Sequence, residues 1–255
     1  MRILVTNDDG IDSPGIYALA HALRKIGEVI VVAPDRQQSA VGHALTVSSP
    51  LRATPFHRDG AMFGYAIDGT PTDCVKMAIS TLLPEKPDII VSGINHGTNT
   101  SINVLYSGTV SAATEGMMMG IRSMAVSLTS FDHAADMSIA AEYACAVAKQ
   151  LPTLELPSDT ILNVNVPTVP RDVIKGIKIT RLSKSMWNDH YERRIDPMGH
   201  DYFWINGQYI TLDDDITDSD DMALKDNYVS ITPIHYDLTN RAVMKRITLL
   251  EEIIL

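Results

Sequence analysis

Oxygen-bearing side chains follow three separate apolar runs of the sequence. Asp8 and Asp9 come directly after the first run, while Ser39 and Asn95 follow two later ones. Open parallel sheets bind their ligands beyond the carboxyl ends of the strands, so the three loops should converge on one rim. Adjacent carboxylates repel each other unless a cation neutralises them, and Mg²⁺ and Mn²⁺ prefer oxygen ligands. We therefore predict a divalent metal site with four ligands: Asp8, Asp9, Ser39 and Asn95.

Such a site would support hydrolysis of a phosphate ester. A cation between carboxylates polarises a phosphoryl group and activates water near neutral pH. We expect Asp8 or Asp9 to orient that water, which would make both residues catalytic. A covalent aspartyl-phosphate is the rival mechanism, and it ranks lower because two liganding carboxylates leave neither free to attack. The simpler alternative is that Asp-Asp-Gly only forms a turn and caps the next helix.

A second stretch could hold the phosphate. Ser107, Gly108 and Thr109 join a loop to an Ala-rich helix, so their backbone N–H groups and hydroxyls could cradle an anion at the helix N-terminus. The alternative is a serine N-cap followed by a glycine that allows close packing. The segment is not a Walker loop, because it lacks the G-x-x-x-x-G-K-[ST] pattern.

Histidines are the remaining candidates. His43 lies four residues beyond Ser39 and could bind phosphate or protonate a leaving oxygen. A structural histidine in an ordered loop explains the same spacing equally well. His96, next to Asn95, has the same two interpretations with less support.

The elements that must position these residues alternate along the first two-thirds of the chain. Apolar runs without polar alternation are typical of strands covered on both faces. Helical patterns separate them, which predicts right-handed crossovers and a parallel α/β sheet. The predicted strands cover residues 3–6, 29–33, 88–92, 123–128 and 161–166. The predicted helices cover residues 15–26, a segment opening at Thr70, a segment opening at Ser107 or Gly108, and residues 138–150.

The rest of the chain departs from this alternation. Residues 45–67 are predicted to add short strands, and a core over about 1–168 is followed by an extension over about 169–255. We expect this extension, with its cation- and aromatic-rich stretch at 184–194 and a last helix at 241–254, to form oligomer contacts. The alternative for residues 184–194 is that they stack a base or hold a polyanion. The acidic residues between are predicted to form a solvated loop: Asp213, Asp214, Asp215, Asp218, Asp220 and Asp221.

Composition excludes several classes of protein. The chain has 255 residues and a formal net charge of −10, which argues against a stable nucleic-acid partner. Its two cysteines cannot form a disulfide scaffold, and no apolar stretch is long enough for a membrane span or a signal-peptide core. A cytoplasmic protein is therefore expected. The absence of G-x-G-x-x-G after the first strand disfavours a dinucleotide cofactor.

Five ordered motifs give the chain a specific resemblance. They are Leu4–Gly10, Val32–Arg36 with Ser39, Gly69–Val75, Ser92–Gly97 and Tyr106–Val110. Over essentially its whole length the chain resembles the SurE family, the survival-protein nucleotidases. The resemblance implies a Rossmann-like three-layer αβα domain with a mostly parallel sheet and a C-terminal extension of strands and a helix.

The resemblance also implies an activity. It indicates metal-dependent hydrolysis of nucleoside 5′- and 3′-monophosphates, with exopolyphosphatase activity in some members, by one divalent metal ion per subunit. Asp8, Asp9, Ser39 and Asn95 match the family's metal ligands, and Ser107, Gly108 and Thr109 match its phosphate-contacting loop. His43 matches a polar contact that is asparagine in other members. Homodimers or homotetramers formed by exchange of C-terminal segments are implied as well. A non-catalytic nucleotide-binding module and a sugar-nucleotide transferase are the alternative functions.

Overall fold

The continuous apolar runs form the centre of a nine-stranded sheet. The structure, a computed structural model, describes residues 1–213 and 216–253. Its strands are β1 (Arg2–Thr6), β2 (Glu28–Pro34), β3 (Ala53–Arg58), β4 (Ala61–Ile67), β5 (Ile89–His96), β6 (Arg122–Leu128), β7 (Thr160–Val166), β8 (Ile177–Ile179), β9 (Ser185–Ile195), β10 (Asp201–Thr211) and β11 (Val229–His235). All five predicted strands are confirmed, with ends that agree or differ by at most four residues.

The strand order is that of a mostly parallel sheet. It runs β3-β4-β2-β1-β5-β6-β7-β11-β8, with β9 and β10 forming a separate two-stranded sheet. Neighbours from β4 to β7 pair in parallel, while β3 with β4 and β11 with β7 pair antiparallel. Pro55 lies in β3, at the edge of the sheet, where a missing N–H donor is tolerated.

Helices cover both faces of the sheet. They are α1 (Pro14–Leu23), α2 (Pro71–Met77), α3 (Gly108–Met118), α4 (Ser138–Gln150), α5 (Asp220–Lys225) and α6 (Arg241–Met244), and a π-helical turn at Ala78–Leu82 follows α2. One large apolar cluster joins α1 and α4 to one face, and smaller clusters join α2 and α3 to the other. The three-layer αβα architecture predicted from the sequence is confirmed.

Local signals in the sequence start the helices where they were predicted. Ser13 accepts a hydrogen bond from the Ile16 N–H at the start of α1. Thr70 and Asp73 form a reciprocal capping box at the start of α2. Ser107 accepts from the Val110 N–H at the start of α3. These caps fix where each helix begins, and therefore where the preceding loop must end.

The predicted C-terminal extension is partly integrated into the central sheet. β11 pairs with β7, and β8 pairs with β11. The helix predicted at 241–254 is not continuous. Its described residues form the short helix α6 and a separate 3₁₀ turn at Thr248–Glu252. Ile254 lies outside the described residues. The hairpin β9–β10 carries mostly exposed side chains, including Tyr191 and Trp204.

The prediction of a solvated acidic loop is wrong for part of the run. Asp220 is fully buried at the start of α5, where it accepts hydrogen bonds from the N–H groups of Ser101 and Ser183. Asp213 is also buried and accepts from Arg181 at 2.7 Å. Nearby hydrogen-bond donors allow burial of these carboxylates. The predicted residues Asp214 and Asp215 lie outside the described part. Within that part, no helix is long and apolar enough to cross a membrane.

Candidate active site and metal centre

The four predicted metal ligands line one cavity. It has a volume of about 340 Å³ and lies beyond the carboxyl ends of β1 and β5. Asp8, Asp9, Ser39 and Asn95 all face it, and Ser107 lies on the same wall. The convergence of three loops, predicted from their positions after parallel strands, is therefore present in the structure.

The loop after β1 is held by the side chain of Asn7. Its Nδ2 donates to the carbonyl of Gly10 at 2.9 Å and to Oγ of Ser13 at 2.8 Å. Gly10 adopts a φ of +98°, a conformation that side-chain-bearing residues rarely adopt. Asp8 binds the next loop through its carbonyl, which accepts from the Gln38 N–H at 2.7 Å. The turn that presents the two carboxylates is thus rigid on both sides.

Asp8 is a buried carboxylate with a dedicated donor. Its side chain is 5% exposed, and Oδ1 accepts a hydrogen bond of 2.5 Å from the hydroxyl of Thr109. The pKa of Asp8 is raised to about 6, mainly by burial and also by the charge of Asp9, while the Thr109 hydrogen bond opposes the shift. A neighbouring positive charge would therefore stabilise the ionised form of Asp8.

Asp9 shares this environment. Burial raises its pKa, although Oδ2 accepts from the backbone N–H of His96 at 3.3 Å. Among the residues that the structure describes, neither Asp8 nor Asp9 forms a salt bridge with a lysine, arginine or histidine. The charge of His133 lowers the pKa of Asp9, but two partly desolvated carboxylates with no salt-bridge partner among the described residues fit a site for a metal ion.

The two neutral candidates present oxygens to the same cavity. Nδ2 of Asn95 donates to the carbonyls of His96 and Gly97, at 3.1 and 2.8 Å, and among the described residues Oδ1 has no hydrogen-bond donor. Oγ of Ser39 accepts from Nε2 of Gln37 at 2.8 Å. Two carboxylates, one hydroxyl and one amide oxygen make a donor set that fits a hard divalent cation. Over residues 1–213 and 216–253, no cluster of three His, Cys, Asp or Glu side chains offers an alternative centre.

The residues of the predicted phosphate loop make two different kinds of contact. Ser107 lines the cavity, and its Oγ accepts the Val110 N–H, so its hydroxyl proton is free to be donated. Thr109 is fully buried and binds Asp8 instead of facing the cavity. Gly108 permits this approach, because a Cβ there would lie 2.8 Å from Cβ of Asp8. The loop therefore positions a predicted ligand as well as offering a donor.

His43 is directed away from the cavity. Its Nε2 lies 2.9 Å from Oε2 of Glu115, whose other oxygen accepts from Nζ of Lys76 at 2.7 Å. The pKa of Glu115 is lowered mainly by the His43 hydrogen bond and also by Lys76, against the opposing effect of burial. This arrangement favours the structural interpretation of His43, and its contact with phosphate stays a prediction.

Further residues line the cavity: His96, which was a candidate with less support, His133, which was not predicted, and Trp187, which was expected to form oligomer contacts. His96 and His133 lie on its wall with their ring centroids 5.1 Å apart, and both ring nitrogens of His96 are buried without a partner among the described residues. Burial, followed by the charge of His133, lowers the pKa of His96. Trp187 also reaches the cavity from the distant hairpin. No sequence motif links His133 or Trp187 to the metal ligands, so only the folded chain reveals them.

Comparison with known proteins places this site in a family. A family model described as Survival protein SurE matches residues 3–189. The chain belongs to the SurE family. This confirms the resemblance inferred from the five motifs, and every predicted site residue of this SurE chain lies inside the matched range.

Individual SurE proteins match over nearly the whole chain. The 5′-nucleotidase SurE of Pelobacter propionicus is 52% identical over 248 residues, covering 97% of this chain and 98% of the relative. That of Syntrophobacter fumaroxidans is 50% identical over 240 residues, covering 94% and 95%. The crystal structure of the SurE protein from Aquifex aeolicus has a TM-score of 0.84 at 41% identity, covering 99% of this chain and 100% of that chain.

Proposed function

We propose that this protein is a metal-dependent nucleotidase that hydrolyses nucleoside 5′-monophosphates to nucleoside and phosphate. The observation that carries the proposal is the pair of partly desolvated carboxylates, Asp8 and Asp9, that share one cavity with the neutral oxygens of Ser39 and Asn95. The relatives named 5′-nucleotidase SurE support the same activity, because they match nearly the full chain at 50% and 52% identity.

One divalent cation per subunit, Mg²⁺ or Mn²⁺, would be held by four residues: Asp8, Asp9, Ser39 and Asn95. When bound, the cation supplies Lewis-acid polarisation of the phosphoryl group and makes water a better nucleophile. The hard oxygen donors support this choice of metal.

The side chains around the metal site would have separate roles in the reaction. Asp9 has one oxygen bound by the His96 N–H, and its carboxylate, while it holds the cation, would orient the attacking water through a hydrogen bond. Asp8 keeps a fixed carboxylate because Thr109 holds Oδ1. The hydroxyl of Ser107 donates to a phosphoryl oxygen, and the positive end of α3 stabilises the charge that develops there. Direct attack by water is favoured over an aspartyl-phosphate, since both carboxylates are committed to the cation.

The proposal extends to related substrates and to assembly. Nucleoside 3′-monophosphates and polyphosphate are additional candidate substrates that share the same phosphoryl chemistry. The exposed apolar side chains of the hairpin β9–β10 support a homodimer or homotetramer formed through the extension at 169–255. A cytoplasmic location and the division into a core at 1–168 and an extension stay predictions from the sequence.

Phosphate release from AMP tests the proposal. The purified protein is treated with a chelator, and activity is measured before and after Mg²⁺ or Mn²⁺ is restored. We expect the metal to restore turnover in the wild type and not in Asp8→Asn, which keeps the size of the side chain. Asp172→Asn changes an exposed carboxylate outside the cavity and is the matched control.

Three results would contradict this interpretation. Equal activity in Asp8→Asn and the control would show that the metal site is misassigned. AMP binding without phosphate release under any divalent metal would favour the nucleotide-binding module. Turnover that requires an acceptor molecule and a sugar nucleotide would favour the transferase.

A further inference from the structure

The active-site cavity has an aromatic wall that phosphate hydrolysis does not require. Tyr106, Phe131 and Trp187 line it together with the two carboxylates, and Trp187 is 41% exposed. A cation and a phosphoryl group are bound by oxygens and N–H donors, so apolar rings do not contribute to the chemical step. The aromatic wall is therefore available to the part of the substrate that carries no charge.

Trp187 is held in one orientation. Its Nε1–H donates to Oδ1 of Asn103 at 2.9 Å, and Asn103 itself lines the cavity. The indole packs edge-on against Tyr209, with the ring centroids 5.4 Å apart and the planes at 64°. An exposed ring restrained in this way loses little conformational entropy when a ligand binds.

A buried polar cluster fixes the segments that carry these two side chains. Ser101 precedes Asn103 and is 2% exposed, while its backbone N–H donates to Oδ2 of the fully buried Asp220 at 3.0 Å. Oγ of Ser185, at the start of β9, donates to Oγ of Ser101 at 2.6 Å. Tyr209 Oη donates to Oδ2 of Asp221 at 2.7 Å. The base of the hairpin is thus joined to the active-site wall by hydrogen bonds between buried and partly buried groups.

We propose that Trp187, oriented by Asn103, is the platform on which the nucleobase of the substrate stacks. The inference rests on the proposed function, and it adds a residue that determines which phosphate esters are bound well. Every nucleobase has a π-face, so stacking on an indole favours nucleotides over esters without a base and discriminates weakly between bases. Trp187 contributes to substrate binding and leaves the chemistry to the carboxylates.

Kinetics with a matched pair of substrates test the platform. AMP and ribose 5-phosphate carry the same phosphate ester on the same sugar, and only AMP has a base. For Trp187→Ala we expect kcat/KM for AMP to fall roughly 5- to 100-fold, the range of base–aromatic stacking, and mainly through KM. The kcat/KM for ribose 5-phosphate should not change. Trp187→Phe keeps a ring and should recover much of the loss, whereas Trp204→Phe, on the neighbouring strand, is the control.

Fluorescence gives a second readout that needs neither metal nor turnover. The sequence contains two tryptophans, so Trp204→Phe leaves Trp187 as the sole indole. The indole is excited at the red edge of its absorption band, where adenine does not absorb. Adenosine should then quench the Trp187 fluorescence saturably, and ribose should not.

The possible failures are separable. Equal loss of activity on AMP and ribose 5-phosphate in both Trp187 variants, or no quenching by adenosine, would overturn the platform. A wild-type protein that releases phosphate from neither ester while adenosine still quenches Trp187 would refute the nucleotidase and leave the platform intact.

Discussion

The hydroxyl of Thr109 donates a 2.5 Å hydrogen bond to Oδ1 of Asp8, although the two residues lie 101 positions apart in the chain. Thr109 is in the first turn of α3, which Ser107 caps. The start of this helix therefore fixes a carboxylate on the loop after β1. This hydrogen bond therefore couples the position of the loop predicted to hold the metal to the helix start predicted to hold phosphate.

Thr109→Val tests this connection. Valine has nearly the same shape, so the packing of α3 should be retained, but the buried carboxylate of Asp8 loses its hydroxyl donor. A hydrogen bond to a charged group is worth about 1.5–3 kcal/mol, so the Kd for Mn²⁺ should rise by about tenfold or more. Calorimetric titration of the chelated protein with Mn²⁺ measures this. Thr114→Val removes a hydroxyl bonded only to the Val110 carbonyl on the same helix and is the control. Equal Kd values in the two variants would contradict the assignment.

Gly108→Ala should separate stability from activity. A Cβ at this position would lie 2.8 Å from Cβ of Asp8 and 3.0 Å from its Oδ2. Alanine also favours helix over glycine by up to about 1 kcal/mol, which offsets part of the strain. We expect phosphatase activity to drop by about tenfold or more while the protein remains folded. Metal-dependent kinetics beside a urea unfolding curve give both quantities, and full activity would show that the close approach is unimportant.

Glu115 should make stability depend on pH. Its pKa is held below the ordinary value of 4.5 by His43 first and by Lys76, so the folded state binds its proton more weakly than the unfolded state does. The stabilisation is therefore present above pH 4.5 and is lost as the pH falls through the lowered pKa of the folded state. Glu115→Gln should lower the free energy of unfolding by about 1 kcal/mol at neutral pH, because both partners are partly exposed.

Urea unfolding of wild type and Glu115→Gln at neutral and acidic pH measures this dependence. The difference between the two proteins should shrink in acid. Glu142→Gln, which breaks an exposed ion pair with Arg171, is the control and should have little effect at either pH. A Glu115→Gln penalty that stays constant with pH would contradict the linkage.

Asp220 should stabilise the base of the hairpin β9–β10. Asp220→Ala leaves the buried N–H groups of Ser101 and Ser183 without their acceptor, at a cost of about 2–4 kcal/mol. Asp226→Ala, at the end of the same short helix, removes only a half-exposed carboxylate 3.6 Å from Lys178 and should cost less than about 0.5 kcal/mol. Chemical unfolding compares them, and similar penalties for both variants would show that burial of Asp220 has no special role.

Local patterns predicted much of the core because they express local physics. Consecutive apolar residues are typical of strands covered on both faces, and the five predicted strands are all present. The capping box at Thr70 and the cap at Ser107 depend on residues within one helical turn. β11 was missed, since its alternation is short and it joins the sheet only through pairing with the distant β7.

The sequence by itself determined the family, the parallel α/β core and the loops on which the predicted metal ligands lie, because hydrophobic patterning and side-chain chemistry are readable within short windows. Only the tertiary structure decided that Thr109 donates a hydrogen bond to Asp8, that His43 is hydrogen-bonded to Glu115, and that Trp187 lines the cavity. These relationships join elements far apart in the chain, and their directions depend on how the helices and the hairpin pack onto the sheet. Burial of Asp220 has the same origin: an acidic run looks solvated until distant N–H donors fold against it.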